Sequence, residues 1–473
     1  MSSGVWELGE AKERAGLYNK FISLANSRIS SVKKGVVGIP IKADWGPCNE
    51  LIICSDDTEI ISNFGIGGTV YLARRAMKSI KQFKPYKIIL YRMATEEAEQ
   101  AVAIINENLK LIAKYKGNRG NNFRVSIATN IQDENMVNIC IYEENTMISK
   151  YTVNKTDIEG LVTTINEDKN SLITAVRLGD TELIPNVSIS FSGGVSGSDV
   201  KVEDYIRALA AFETAYLNTF ALDGVDDEAL LTTVRSWHSR IWNAGKMIQL
   251  VIGGSHTDDK DSTIGNARSK VCDNYGIINV IVGGIDSEGN MYSSAEMATQ
   301  IAGAIAALPL NKSITYKELD DIVDITVELS DTEIKKALQA GSFILSKDID
   351  PETFEVTIKV ERGINTFTSF TAEAGKKLRK IKAISTMTTI DYDIGRYAMK
   401  NVIGELDNDD DGRAALLSGI SQYLETLANA HIISSDILVG LSETLISDGD
   451  VVYMDTQALT IDKIEQIFNK IFL

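Results

Sequence analysis

The 473-residue chain has little of what usually carries chemistry. Its four cysteines, Cys48, Cys54, Cys140 and Cys272, have no metal-site spacing, and no histidine lies near them. They are expected to be buried thiols in a reducing compartment, not a zinc site or a disulfide framework. Only three histidines are present, His238, His256 and His431. No run of about 18 apolar residues exists, which excludes an apolar spanning helix, and the first residues lack the apolar stretch of a signal peptide. Synthesis and assembly in the cytoplasm are therefore expected. Basic residues are outnumbered, 48 Lys and Arg against 65 Asp and Glu, for a net charge of −17. That balance argues against nucleic acid or an anionic membrane as the main partner, and self-repulsion keeps such a chain soluble before it assembles.

What is present is a globular chain, 44% hydrophobic and 24% charged, long enough for two to four domains. Residues 1–30 read as an arm, with a strand starting at Gly16. A strand over 35–41 ending at Pro40, strands over 51–54 and 87–93, and a helix near 69–83 make a first α/β unit, in which Arg92 has no evident role. A helix is expected over 95–113, its acidic start suited to the helix dipole. Short strands near 123–127, 137–142, 147–153 and 172–177 suggest a β-sandwich. From Pro185 onward, strands that end at glycines (187–191, 247–252, 277–282) alternate with helices (202–212, 295–307), the pattern of a parallel α/β sheet. Ser330 and Glu333 form a capping-box pair for a following helix. Asp350–Pro351 opens an α+β region with a strand at 354–361, helices at 390–403 and 413–430, and a buried strand at 451–454. The chain ends on Ile467, Phe468, Ile471, Phe472 and Leu473. An end this apolar has to be buried, in its own domain or in a neighbour. A helical turn through Glu465 followed by a strand from Ile467 is expected, although the apolar spacing from Ile464 is helical.

Four motifs invite chemical readings. The loop SGGVSGS at 192–198 lies between strand and helix, as phosphate loops do, but lacks the Gly-Lys-Ser/Thr and the glycine spacing of nucleotide sites. Residues Asp407 to Gly412 reproduce the first half of a calcium loop, yet position 12 is Ser418 where a bidentate Glu is needed; an acidic turn capping the next helix is the simpler reading. The stretch 293–307 resembles the subtilase helix that carries the nucleophilic serine, but Ala295 stands at the nucleophile, Thr299 at the expected proline, and no His-Gly-Thr segment exists. Lys376, Lys377, Arg379, Lys380 and Lys382 form a basic run in an acidic chain. It is a solvated face or a patch for an acidic protein surface.

These pieces come in one order: WELGEAKERAGLYNKF, GVVGIPIKADWGP, AKYKGNRGNN, FSGGVSGS, AEMATQIAGAIAALPLNKSITYKEL, ALQAGSFIL, RGINTF and NDDDGRAALLSGISQYLETL. In that order the chain resembles contractile tail sheath subunits of phages, defective prophages and R-type bacteriocins over nearly its whole length; Ala15 departs from the family's usual proline. The resemblance implies an α/β and α+β multidomain chain. Its parts would be an N-terminal arm (1–30), a small α/β unit packing with the C-terminal domain (31–94), a β-sandwich (95–184), a subtilisin-like α/β domain (185–348), an α+β C-terminal sheath domain (349–466) and a C-terminal arm (467–473). It implies a structural protein without cofactor or metal. Such subunits stack as hexameric rings around a tail tube, meet baseplate and terminator proteins, and contract to drive the tube through an envelope. The arms, carried over as Gly16, Leu17, Tyr18 and Phe21 and as Ile467, Phe468, Ile471, Phe472 and Leu473, would add strands to neighbouring subunits. The basic run Lys376–Lys382 would grip an acidic tube. The rivals are a subtilase-like hydrolase, which Ala295 disfavours, and a calcium-dependent binding module at Asp407–Gly412.

Overall fold

The computed structural model describes residues 3–4, 17–18, 29, 34–197 and 199–471. The chain divides into two compact units, one of residues 33–388 with 465–473, the other of residues 389–464 with the 1–32 stretch.

The larger unit is built on β1 (Val36–Ile41), β2 (Leu51–Cys54), α1 (Asp57–Phe64), α2 (Val70–Met77) and β3 (Lys87–Arg92). Further along come α4 (Val202–Phe212), β11 (Thr219–Ala221), α5 (Glu228–Asn243), β12 (Gln249–Ile252), α6 (Ser262–Cys272), β13 (Ile277–Val280), α7 (Ser294–Ala307), α8 (Asp331–Ala340) and β14 (Ser342–Phe343). Seven strands form one sheet in the order β14-β13-β12-β11-β1-β3-β2, parallel except for β2. Its strands are apolar runs because helices cover both faces. β1 continues through Pro40 to Ile41 instead of ending there. β11 pairs only with Val37 and Gly38, so the missing proline N–H falls where one side of the strand is unpaired. α7 is buried along almost its whole length and runs against α2. At Gly303 a Cβ would meet the Ala76 carbonyl oxygen at 2.1 Å, so only glycine lets the two helices come this close. The capping boxes at Ser293–Glu296 and Ser330–Glu333 start α7 and α8.

Between β3 and α4 lies a sandwich. Its strands are β4 (Val102–Ile105), β5 (Leu109–Ala113), β6 (Phe123–Thr129), β7 (Met136–Glu143), β8 (Thr146–Asn154), β9 (Ile173–Arg177) and β10 (Val187–Ser190), with α3 (Ile158–Glu167). Two antiparallel sheets, β8-β7-β6-β10 and β9-β5-β4, enclose one apolar core. The helix expected over 95–113 is therefore a hairpin. Ala103, Ile105, Leu109, Leu111 and Ala113 are buried and alternate with more exposed neighbours, and Asn106 and Glu107 both take positive φ at the turn. The period of two outweighs the acidic start.

The hairpin of β15 (Leu345–Ile349) and β16 (Val356–Val360) follows, and Asp350–Pro351 lies in its turn. α9 (Ile381–Asn401) starts nine residues earlier than expected, so it includes Lys382.

In the smaller unit, the latter part of α9 and α10 (Asp410–Asn429) pack over a core of Tyr397, Leu416, Ile420, Tyr423, Leu424, Leu427 and Ile433. A two-stranded antiparallel sheet completes it, β17 (Ile433–Leu441) with β18 (Met454–Thr460). The buried strand expected at 451–454 is loop up to Met454, the first residue of β18; Val451 and Tyr453 are exposed, while Val452 and Met454 pack against the core of the smaller unit.

Candidate functional site

The groups that could have made a catalytic centre are occupied structurally. Ala295 is buried and its amide donates to the Gly254 carbonyl. The neighbouring Ser294 is fully buried; its hydroxyl donates to Asp259 at 2.5 Å and accepts from the Gly254 amide at 2.8 Å. Burial pushes the Asp259 carboxyl up to about 6. His256 faces Glu296 at 3.6 Å, and His238 is buried with Nε2 on the Ile248 carbonyl at 2.9 Å, its pKa lowered to about 4 by burial. Among the described residues, no histidine bonds to Ser294 or Asp259. A polar cleft of about 640 Å³ beside α2 is lined by charged groups that pair with one another. Arg75 sits 3.6 Å from Asp286, 3.5 Å from Asp321 and over the Tyr292 ring, and Tyr71 donates to Glu296 at 2.5 Å.

The glycine-rich motifs meet at the junction of sandwich and parallel sheet. Arg92 is fully buried and donates to the carbonyls of Ala43 (3.0 Å), Gly46 (2.7 Å) and Lys116 (2.8 Å). Far from lacking a role, it ties the 35–47 stretch to the 113–122 stretch, and burial pulls its pKa down. Gly117 (φ +133°) lies so close that a Cβ would meet the Asp44 carbonyl oxygen at 1.9 Å. The loop at 192–197 completes the junction. Asn121 exchanges two 2.8 Å hydrogen bonds with the Gly194 backbone, and Asn118 pairs with Ser196 at 3.1 and 3.2 Å. The amides a phosphate would need at Gly194 and Ser196 are thus engaged by asparagines. The acidic loop is engaged similarly. Asp409 caps α10 through the Gly412 amide, and Asn408 holds the turn at Gly449 and Val451. Among the described residues, no cluster of three or more His, Cys, Asp or Glu could hold a metal.

A run of exposed apolar residues and a small open sheet lie toward residues 433–471. A two-stranded sheet is marginal by itself, and β17–β18 leaves Leu438, Leu441 and Leu459 exposed. After β18 the chain takes no regular structure through 471. Ile464, Ile467, Phe468 and Ile471 are 85%, 82%, 93% and 74% exposed. The strand expected from Ile467 and the turn through Glu465 are absent, and the apolar end is not buried in its own chain; so short a segment has no partner to stabilise either form. Phe472 and Leu473 lie outside the described residues, as do Gly16 and Phe21. The backbone of Leu17–Tyr18 forms a two-residue strand parallel to Ser3–Gly4.

The basic run is divided. Lys376 and Lys377 are exposed, whereas Arg379 donates to the Leu338 carbonyl and Lys380 pairs with Glu465. Lys382 is half-buried in α9. Glu465 also accepts from Arg362 at 2.9 Å and Thr315 at 3.1 Å. Burial alone would raise its carboxyl, but the bonds from Lys380 and Arg362 outweigh this and hold it below the usual range. No local pattern in the sequence marked Glu465 or Arg92, because their partners are distant along the chain.

Comparison with known proteins matches these regions in order. Residues 95–198 match the phage tail sheath protein beta-sandwich domain, 198–366 the phage tail sheath protein central domain, and 373–471 the phage tail sheath C-terminal domain. The phage-like element PBSX protein XkdK of Bacillus subtilis is 27% identical over 99% of both chains. The tail sheath protein of Clostridium phage phiCD119 is 27% identical over 51% of this chain and 60% of its own. The fold is similar to that of a sheath tail protein from Desulfitobacterium hafniense (TM-score 0.72, 24% identity, 94% of this chain and 100% of that one). It is also similar to the contracted helical sheath of the anti-feeding prophage (TM-score 0.54, 10% identity, 98% and 99%). The chain belongs to the contractile tail sheath family.

Proposed function

We propose that this chain is the structural subunit of a contractile tail or bacteriocin sheath, not an enzyme, and that it works by exchanging its ends with other copies. The observation that carries this reading is the pairing of an unfinished sheet, β17–β18, with an exposed apolar end from Ile464 to Ile471. Each is unfavourable alone, and β-augmentation relieves both: backbone groups pair along an open strand edge while alternate side chains find cover. The contracted sheath of the anti-feeding prophage, similar in fold, supplies the precedent of a helical assembly. In this reading Ile467–Leu473 forms one arm and Gly16–Phe21 the other, hexameric rings stack around a tail tube, and baseplate and terminator proteins close the ends. The parallel sheet with its central α7 is a subtilisin-like core kept for rigidity, its nucleophile position filled by Ala295. Domain boundaries follow the sequence, with the sandwich at 95–184, the central domain at 185–348 and the sheath domain at 349–466. Assembly proceeds in the bacterial cytoplasm, and the particle carries the sheath afterwards. Rigid units linked by arms that persist through repacking satisfy what a two-state contraction requires. Lys376 and Lys377 face the acidic tube.

Negative-stain electron microscopy of the purified chain, full length and lacking 467–473, tests this. Hollow striated tubes from the first and none from the second are expected. Tubes from both would refute the arm's role.

A further inference from the structure

We propose that Glu465 is the positioning residue of the C-terminal arm, a carboxylate lock that roots the arm on its own subunit. This rests on the arm reading above and adds what sets the arm's point of departure.

Between residues 462 and 471 every side chain is exposed except that of Glu465, which is 10% exposed. The pattern is the reverse of ordinary packing, since the four apolar residues of this stretch lie in solvent and its glutamate is covered. Glu465 is held by polar contacts to distant parts of the chain. Glu465 Oε2 accepts from Arg362 Nη2 and Lys380 Nζ, and Oε1 accepts from Thr315 Oγ1.

The receiving surface is built in advance. Ile364 bridges Lys380, the Ile381 amide donates to the Gly363 carbonyl, and the Asn365 amide donates to Arg379, which sets Arg362 beside Lys380. Thr315 is fixed by the Gly363 amide at 3.0 Å and by Ser313 at 3.0 Å. Two cations brought together without a carboxylate would repel each other in a half-buried setting, and Glu465 resolves this. Glu465 belongs to the larger unit, whereas Ile464 closes the smaller one. A pull on the arm therefore loads the rigid larger unit first, before it reaches β18. A tether with a fixed root also has a shorter free length, which raises the effective concentration of its tip at a neighbour within reach.

The test begins on the unassembled full-length subunit. Trypsin cleavage after Lys463, followed by mass spectrometry, should be at least about fivefold faster in Glu465→Ala than in the parent. Glu465→Gln, which keeps an acceptor for Thr315 but loses the charge, should be intermediate, with the melting temperature of both lowered by no more than a few degrees. Assembly is then compared by electron microscopy with the 467–473 deletion. Tail release in Glu465→Ala together with short or irregular tubes supports the lock. Cleavage unchanged in Glu465→Ala overturns it. Tail release with normal tubes, while the deletion forms none, overturns the positioning role and leaves the arm reading intact. Normal tubes from the deletion overturn the arm reading itself, whatever the cleavage rates show.

Discussion

The two units solve the burial problem differently. Residues 33–388 enclose three apolar cores under a seven-stranded sheet and a sandwich, and the strands of that sheet have partners and covering helices. Residues 389–464 enclose one small core and leave a two-stranded sheet with exposed Leu438, Leu441 and Leu459, and exposed Leu445 and Ile446 in the connection between its strands. The sheet and sandwich of the first unit are enclosed by its own helices and strands. The second has the composition of a core with one layer missing. In the proposed reading, this difference separates the rigid part of the subunit from the part that joins other copies.

Substitutions should sort along the same line. The largest effect is expected from Arg92→Ala, which leaves the carbonyls of Ala43, Gly46 and Lys116 without their donor. A loss of about 3–5 kcal/mol in denaturant unfolding is expected, confined to the transition of the larger unit. Acid comes next. His238 stays neutral when folded, with a pKa near 4 against 6.5 unfolded. The unfolded chain takes up the proton first, so stability falls as pH drops from about 6.5 to 4, by about 3 kcal/mol in all. Asp259, raised to about 6 by burial, acts oppositely between about pH 6 and 4. Melting curves of the parent and of Asp259→Asn across that range should separate the two, the variant showing the steeper acid loss. Gly303→Ala should cost about 1–3 kcal/mol by thermal unfolding, since its Cβ meets backbone of α2.

The exposed surface groups, including the apolar end that the larger unit carries at 465–471, should respond in assembly instead. Ile467→Ser with Phe468→Ser should change monomer stability by less than about 0.5 kcal/mol, yet abolish tubes by electron microscopy. A stability loss like that of Arg92→Ala would break the comparison, because it would mean these side chains are already buried in the free subunit. The smallest effect is expected from Lys376→Glu with Lys377→Glu, a few-fold weaker co-sedimentation with tail tube that vanishes at high salt, with self-assembled tubes unchanged.

How far the sequence can be read follows from where each residue's partners lie. α4 and the capping box of α8 are legible because their signals are local. The parallel strands are legible because burial on both faces makes them continuous apolar runs. The β4–β5 hairpin was hidden by acids at 96–99 that suggest a helix start, although the alternation from Ala103 to Ala113 was there to count. α6 escaped notice because its sequence, STIGNARSKVC, carries almost no apolar stripe. β18 reads DTQALT at its centre, polar because its outer face meets solvent. At the candidate site the apolar end was legible, but its anchor was not. Thr315, Arg362 and Lys380 come from three distant segments, and nothing near Glu465 names them. The basic run was legible as charge, while its division between exposed and paired residues depends on tertiary contacts.

The central claim is that the smaller unit is finished by another copy of the chain. Cryo-electron microscopy of the assembled tubes, at a resolution that traces strands, tests it most directly. The account predicts at least one further strand beside β17–β18, traced to residues 467–473 of a different subunit. A sheet that remains two-stranded in the polymer, or one completed by the subunit's own end, would contradict it.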